Sequence, residues 1–228
     1  MSTGTARARF DAVCFDCDST LSRIEGIDEL AKRAGCEAEI AALTKAAMNG
    51  EVPLDAVYGK RLERVRPGRA DLDWLAQRYV EEMVPGARET ILTLVCLGKP
   101  AYVVSGGILQ PVITLAGGLG IPAERVRAVP VVLDADGRYA GFDPAEPLAR
   151  SEGKALVCAE VAKKHGRVAL VGDGASDVAA RSTGAFIVGF GGVVARDAVR
   201  KTADVFILDP SLTAVLDALL TEEERALV

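Results

Sequence analysis

The stretch CFDCDSTLSRIEGIDELAK, residues 14–32, decides the fold. It begins inside a β-rich apolar run, FDAVCFD, which ends in Asp16, and a second acid, Asp18, follows two residues later. From Ser22 onward, apolar residues recur at helical spacing until Gly35. The stretch therefore predicts a buried strand, a loop that carries both acids, and a helix.

The rest of the chain divides into two patterns. Between Thr20 and Pro85 the signals are consecutively helical, at residues 37–48, 54–65 and 71–83. After Pro85, strands alternate with helices, the last of which is predicted over residues 211–220. This alternation is typical of a parallel sheet covered on both faces. We expect an α/β fold: a doubly wound parallel sheet with a small helical cap inserted after the first strand. The expected core comprises residues 1–20 and 85–228, and the expected cap comprises residues 21–84.

The composition of the chain argues against some classes of binding partner. The 228-residue chain is 50% hydrophobic and carries a formal net charge of −5 at pH 7. An acidic chain without a Lys/Arg run argues against a nucleic-acid partner. We read no signal peptide at the N-terminus, and the uncharged segment 100–122 contains glycines and prolines that favour a strand, a turn and a helix over a membrane span. We expect a cytoplasmic protein with no membrane partner.

The cysteines and the histidine indicate no redox or zinc chemistry. The five cysteines are an odd number, which fits reduced thiols. Cys14 and Cys17 form a C-x-x-C motif, but residues three apart in a strand point to opposite faces, which favours core thiols over a redox pair. The sequence has one histidine, His165, and no second cysteine pair, which argues against a zinc site.

Four segments at strand ends or helix starts carry residues suited to chemistry: residues 16–20, 105–107, 151–154 and 172–177. Because the strands are parallel, these segments lie on one edge of the sheet and can converge. The carboxylates crowded there repel one another unless a cation neutralises them. Oxygen ligands suit a hard ion such as Mg²⁺.

Lys154 indicates an anion at the same edge. It lies in the first turn of a predicted helix, where the helix dipole disfavours a cation unless an anion binds beside it. Ser105, at a second predicted helix start, adds a hydroxyl and adjacent glycine N–H groups. These features describe a phosphoryl site. Of Asp16 and Asp18, one carboxylate can carry the phosphoryl group while the other transfers protons.

These motifs support a family resemblance. DCDST (residues 16–20), VSGG (104–107), the lysine helix start and GDGASD (172–177) occur in the order found in the haloacid dehalogenase superfamily of phosphatases. Together with AMNGEVPLDAVYGKRL (47–62) and YAGFD (139–143), the chain resembles the phosphoserine phosphatase family over nearly its whole length. The resemblance implies Mg²⁺-dependent hydrolysis of O-phospho-L-serine to L-serine and phosphate, the last step of serine biosynthesis, by a monomer or homodimer.

The resemblance also implies catalytic and metal-binding roles. It makes Asp16 the nucleophile and Asp18 the general acid and base. Asp16, Asp173 and the main-chain carbonyl of Asp18 would hold Mg²⁺, supported by Asp177. Arg196 matches an arginine of the family.

Substrate-binding roles follow from the same resemblance. Ser105, Gly106 and Lys154 would bind the phosphate. Glu25 would bind the ammonium group of the substrate, and Arg61 its carboxylate. The remaining pocket residues would be Met48, Gly107 and Ser176.

Two of these residues have plain structural alternatives. Glu25 stands three residues after Ser22, which is the spacing of a helix capping box. Arg61 and Arg64 lie three apart on a predicted helix, and such a charged face is usually solvated.

Three other functions share parts of this sequence pattern. A dinucleotide-binding oxidoreductase would need a glycine where Asp177 stands and an acid at the end of the next strand, which the sequence lacks. A phospho-receiver domain needs neither a cap nor Asp18. A phosphatase or phosphotransferase for another small phosphomonoester stays open, because Glu25 and Arg61 alone separate it from phosphoserine hydrolysis.

Overall fold

The computed structural model describes residues 9–228 and contains a six-stranded sheet of order β3-β2-β1-β6-β7-β8. Every neighbouring pair in this sheet is parallel, which confirms the predicted doubly wound α/β fold. β4 and β5 form a separate antiparallel hairpin. The strands are β1 Ala12–Phe15, β2 Ala101–Ile108, β3 Val126–Val129, β4 Val131–Leu133, β5 Tyr139–Phe142, β6 Val168–Gly172, β7 Phe186–Phe190 and β8 Val205–Ile207.

β1 lies inside the sheet, between β2 and β6, and its four residues are buried. All five residues of β6 are also buried, as expected for strands covered on both faces. The helices after the first crossover are α5 Ala87–Cys96, α6 Leu109–Gly118, α7 Gly153–His165, α8 Ala175–Ala179, α9 Asp197–Thr202, α10 Leu216–Leu219 and α11 Glu222–Arg225. Parallel pairing brings the carboxyl ends of β1, β2 and β6 to one edge.

Four consecutive helices separate β1 from α5: α1 Gly26–Arg33, α2 Glu37–Met48, α3 Leu54–Val65 and α4 Arg69–Glu81. α4 packs against α6 of the α/β region, and its buried residues include Leu72, Leu75 and Tyr79. The division of the chain into a core and a cap domain stays a prediction. Residues 1–8 of the expected core lie outside the described part of the chain.

Three predicted boundaries were wrong. α4 begins at Arg69 rather than residue 71, because Gly68 N donates to Asp71 Oδ2 over 3.1 Å and caps the helix. The predicted helix start at Ser105 is a strand: β2 continues to Ile108, which pairs with Val129 beyond a register shift. The predicted helix over residues 211–220 is divided into a 3-10 turn and the short α10.

Cys14 and Cys17 are buried free thiols. Among residues 9–228, no helix combines the length and apolar character that crossing a membrane requires.

Candidate active site

The ion-paired centre of the site is Lys154, which lies in the first turn of α7. Its Nζ atom is 2.7 Å from Asp16 Oδ2 and 2.7 Å from Asp177 Oδ1, and all three side chains are buried. Burial opposes the charged lysine, but the two carboxylates outweigh it and raise the pKa of the Lys154 ammonium group. These carboxylates place negative charge at the N-terminal end of α7, where the helix dipole favours it.

Three buried carboxylates gather beside this lysine. One oxygen from each of Asp16, Asp173 and Asp177 lies within 4.8 Å of the others. Asp177 has both oxygens engaged, since Lys154 donates to Oδ1 and Gly174 N donates to Oδ2 over 2.9 Å. Burial raises the pKa of Asp177 to about 6. Asp173 is the member of this group with an oxygen that has no hydrogen-bond partner within residues 9–228, whereas Asp16 accepts from Cys17 N through Oδ1 over 2.7 Å and pairs with Lys154 through Oδ2.

Asp173 follows β6 directly, and one of its carboxylate oxygens has no partner that offsets its negative charge. Its Oδ1 is buried and has no hydrogen-bond partner among residues 9–228, while Oδ2 accepts from Arg196 Nε over 2.9 Å. Burial, reinforced by Glu25, raises the pKa of Asp173 well above its ordinary value. A buried carboxylate oxygen without a partner, in a cluster of acids, fits the ligand set of a hard divalent cation.

Asp18 is held in a different environment from Asp16. Its Oδ1 accepts two hydrogen bonds, from Tyr79 Oη over 2.6 Å and from Gly26 N over 2.9 Å. Burial, followed by the charges of Glu25 and Asp16, raises the pKa of Asp18 to about 8, although these two hydrogen bonds oppose the shift. A carboxyl group that keeps its proton at neutral pH suits a general acid.

At the end of β2, two glycines let the backbone lie close to the side chains around it. Gly107 N donates to Ser105 Oγ over 3.0 Å, and Gly106 O accepts from Tyr58 Oη over 2.9 Å. A Cβ at position 107 would lie 3.2 Å from both Asp18 Oδ2 and Ser105 Oγ. Glycine there leaves room for Asp18 to face the cavity.

Glu25 does not form the capping box that its spacing from Ser22 allowed. α1 begins at Gly26, and Ser22 Oγ donates instead to the carbonyl of Glu82. Glu25 Oε1 accepts from Ser19 Oγ over 2.9 Å and from Arg196 Nη2 over 3.0 Å. Arg196, which precedes α9, therefore joins Glu25 to Asp173.

Arg61 differs sharply from Arg64. Arg61 on α3 is 6% exposed, and its Nη1 donates to Thr44 Oγ1 over 3.2 Å. Thr44 Oγ1 in turn donates to Asp28 Oδ1 over 2.6 Å, and Arg61 Nε is buried without a partner in the described chain. Arg64 pairs with Glu39 on the surface. The solvated-face alternative thus applies to Arg64 and not to Arg61.

A cavity of about 60 Å³ lies between the sheet edge and the helices α1–α4. Every predicted site residue except Asp173 and Asp177 lines it, including Met48 at the end of α2 and Ser176 in α8. Asp173 and Asp177 are joined to the cavity wall through Arg196 and Lys154. The structure therefore brings all the predicted site residues into one connected group.

Sequence reasoning missed three contributors to the site, Tyr79, Tyr58 and Thr44. Tyr79 and Tyr58 reach the site from α4 and α3, and no spacing in the sequence marks them. Arg196 was noted only through the family resemblance, and its two ion pairs come from long-range folding. Thr44 was read only as part of a helix, although it bonds to both Arg61 and Asp28.

Comparison with known families agrees with the fold and the acidic site. A family model described as haloacid dehalogenase-like hydrolase matches residues 10–182. The chain belongs to this family of hydrolases.

Within that family, the chain is similar to phosphoserine phosphatases. The phosphoserine phosphatases of Bos taurus and Homo sapiens are each 38% identical to this chain over 201 residues, which is 87% of this chain and 89% of each relative. A solved structure described as a phospho-aspartyl intermediate analogue of phosphoserine phosphatase has a TM-score of 0.82 and 27% identity, and the alignment covers 92% of this chain and 99% of that one.

Proposed function

We propose that this chain hydrolyses O-phospho-L-serine to L-serine and phosphate with Mg²⁺, through a phosphoryl group carried on Asp16. The observation that carries the proposal is the contrast between Asp16 and Asp18. Asp16 is ion-paired to Lys154, while Asp18 has a pKa raised to about 8. A carboxylate held by a lysine beside a carboxyl group that keeps its proton is what a nucleophile and a proton donor require. The names of the relatives supply the substrate class.

Asp16, Asp173 and the main-chain carbonyl of Asp18 would hold the Mg²⁺. The charges support a cation, because the acidic groups outnumber the basic groups even with Asp18 protonated: Asp16, Glu25, Asp173 and Asp177 against Arg61, Lys154 and Arg196. When bound, the ion supplies positive charge that offsets the repulsion between Asp16 and the phosphate. Asp177 would keep Lys154 in place, since Lys154 Nζ donates to Asp177 Oδ1 over 2.7 Å.

In the first step, an Asp16 carboxylate oxygen attacks phosphorus, and the bond from phosphorus to the serine oxygen breaks. Asp18 donates its proton to that leaving oxygen. Lys154, the Ser105 hydroxyl and the Gly106 N–H would hold the phosphate oxygens, which bear the charge.

In the second step, Asp18 accepts a proton from water while the water oxygen attacks phosphorus. The bond from phosphorus to Asp16 breaks, which releases phosphate and restores the Asp16 carboxylate. Asp18 is then protonated again, so the residue pair is ready for another turnover.

Selection of the amino-acid part would fall to Arg61 and Glu25. The guanidinium of Arg61 suits the substrate carboxylate, and Glu25 suits its ammonium group. In this structure Glu25 is paired with Arg196, so the substrate's ammonium group would share or replace that partner. We further propose that residues 21–84 act as a cap that excludes bulk water during the reaction.

The test is phosphate release from L-phosphoserine with Mg²⁺ and with EDTA. O-phosphoethanolamine, which lacks the carboxylate, and 3-(phosphonooxy)propanoate, a phosphate ester that lacks the amine, are assayed beside it. The proposal predicts metal-dependent release with a clear preference for phosphoserine, as expected for the last step of serine biosynthesis. Metal-dependent release without that preference would support the alternative, a phosphatase or phosphotransferase for another small phosphomonoester.

A further inference from the structure

Tyr79 makes a buried contact with Asp18 that the mechanism above does not use. Its hydroxyl lies 2.6 Å from Asp18 Oδ1, although the two residues are 61 positions apart in the chain. The Tyr79 side chain is 0% exposed and is among the largest fully buried side chains. A bond this short to a buried carboxyl group is strong enough to fix its orientation.

The two oxygens of Asp18 have unequal surroundings. Oδ1 accepts from both Tyr79 Oη and Gly26 N. Oδ2 faces the position beside Gly107, where a Cβ would lie 3.2 Å from it. Only Oδ2 is therefore turned toward the space at the end of β2, where the phosphate would bind.

The surroundings of Tyr79 are shaped for its hydroxyl. A Cβ at Gly26 would overlap the Tyr79 hydroxyl and would lie 3.2 Å from Leu75 Cδ2. Glycine at position 26 thus lets the tyrosine reach Asp18, and it supplies the second donor at the same time. A phenylalanine ring would fill the same space without the hydrogen bond.

We propose that Tyr79 is a positioning residue, which holds Asp18 Oδ1 so that Oδ2 exchanges the proton with the leaving oxygen and with water. The proposal rests on the proposed function, because it assigns Asp18 the proton-transfer role. Tyr79 belongs to α4 of the inserted helices, whereas Asp18 follows β1. The hydrogen bond therefore couples the proton donor to the helices that cover the site.

Leaving-group dependence distinguishes positioning from packing. Serine is a poor leaving group that needs a proton during the first step, whereas 4-nitrophenolate leaves without one. The ratio kcat/KM reports the steps up to phosphoryl transfer. The variant Tyr79→Phe should lower kcat/KM for phosphoserine about tenfold, the loss of one well-placed hydrogen bond, and should change kcat/KM for 4-nitrophenyl phosphate by less than about twofold.

The matched control is Tyr102→Phe. Tyr102 is also a buried tyrosine with a hydrogen-bonded hydroxyl, 2.8 Å from His165 Nε2, and it does not line the cavity. This variant should leave kcat/KM unchanged for both substrates. A second variant, Gly26→Ala, displaces the Tyr79 hydroxyl while keeping it in the chain, and should show the same selective loss as Tyr79→Phe.

Two results would overturn the inference. Equal losses on both substrates would mean that Tyr79 only packs the inserted helices. Unchanged activity on phosphoserine would mean that the hydroxyl does not orient Asp18. Failure of the unsubstituted protein on phosphoserine would instead refute the proposed function, and the comparison would then use whichever alkyl phosphate of the panel it hydrolyses.

Discussion

Thr44→Val should weaken binding of the substrate carboxylate without slowing the chemistry. Thr44 Oγ1 accepts from Arg61 Nη1 over 3.2 Å and donates to Asp28 Oδ1 over 2.6 Å. Valine keeps the shape of threonine but removes both bonds, and the buried Arg61 guanidinium, which is 6% exposed, loses its hydrogen bond to position 44. We expect KM for phosphoserine to rise, because the guanidinium is no longer fixed toward the substrate.

The size of the effect follows from the bonds lost. A hydrogen bond contributes about 1 kcal/mol, and one to a charged group about 1.5–3 kcal/mol. Arg61 still lies over the Tyr58 ring at 5.6 Å, so the whole sum will not be lost. A loss of roughly 1–2 kcal/mol corresponds to an increase in KM of roughly 5- to 30-fold.

The assay is steady-state phosphate release from phosphoserine and from O-phosphoethanolamine, which has no carboxylate. KM should rise for phosphoserine alone, and kcat should stay within about twofold of the unsubstituted protein. This pattern is expected when the lost interaction binds the substrate and the transition state equally well. The control is Thr90→Val, since Thr90 is also a buried threonine and donates to the carbonyl of Gly86, the residue before α5, over 2.7 Å. Equal increases in KM for both substrates would refute the reasoning.

Three further predictions concern the acids. Asp16→Asn should lower kcat at least about a thousandfold with an unchanged circular dichroism spectrum, and near-normal turnover would remove its assignment as nucleophile. Asp173→Asn should raise the Mg²⁺ concentration for half-maximal activity at least about tenfold, whereas an unchanged Mg²⁺ titration would place the ion elsewhere. Burial raises the pKa of Asp18 to about 8 and that of Asp177 to about 6. Because unfolded Asp titrates near about 4, the folded chain holds more protons between about pH 4 and pH 8, and metal-free stability should fall as pH rises through that window. Thermal scans should show this fall in melting temperature, and Mg²⁺ should raise the melting temperature more at pH 8 than at pH 5. A melting temperature of the metal-free protein that does not change with pH across this window would contradict the raised pKa values of the two acids.

The sheet and the acids at its edge could be predicted because their signals are local. The run before Asp16 is apolar and β-rich, and β1 is buried between β2 and β6 as that pattern requires. Once the strands are parallel, the acids after β1 and β6 must share an edge. Asp16 and Asp173 therefore followed from sequence and topology together.

The contacts of the inserted helices could not be predicted in this way. Tyr79 and Asp18 are 61 residues apart, and Arg196 and Glu25 are 171 apart. Their pairing depends on how α4 and the loop before α9 pack, which periodicity does not encode. The extension of β2 past Ser105 was missed for a similar reason, since the pairing of Ile108 with Val129 is a tertiary contact that overrides the glycine signal.

The most direct test of the central claim is to trap the phosphoryl group on the protein. The enzyme would be mixed with phosphoserine and Mg²⁺, quenched within one turnover, and reduced with borohydride, which converts an aspartyl phosphate to homoserine. Tandem mass spectrometry should then find homoserine at position 16, and not in samples without Mg²⁺ or with Asp16→Asn. Phosphate release with no modification at position 16, or with the modification at another residue, would contradict the account.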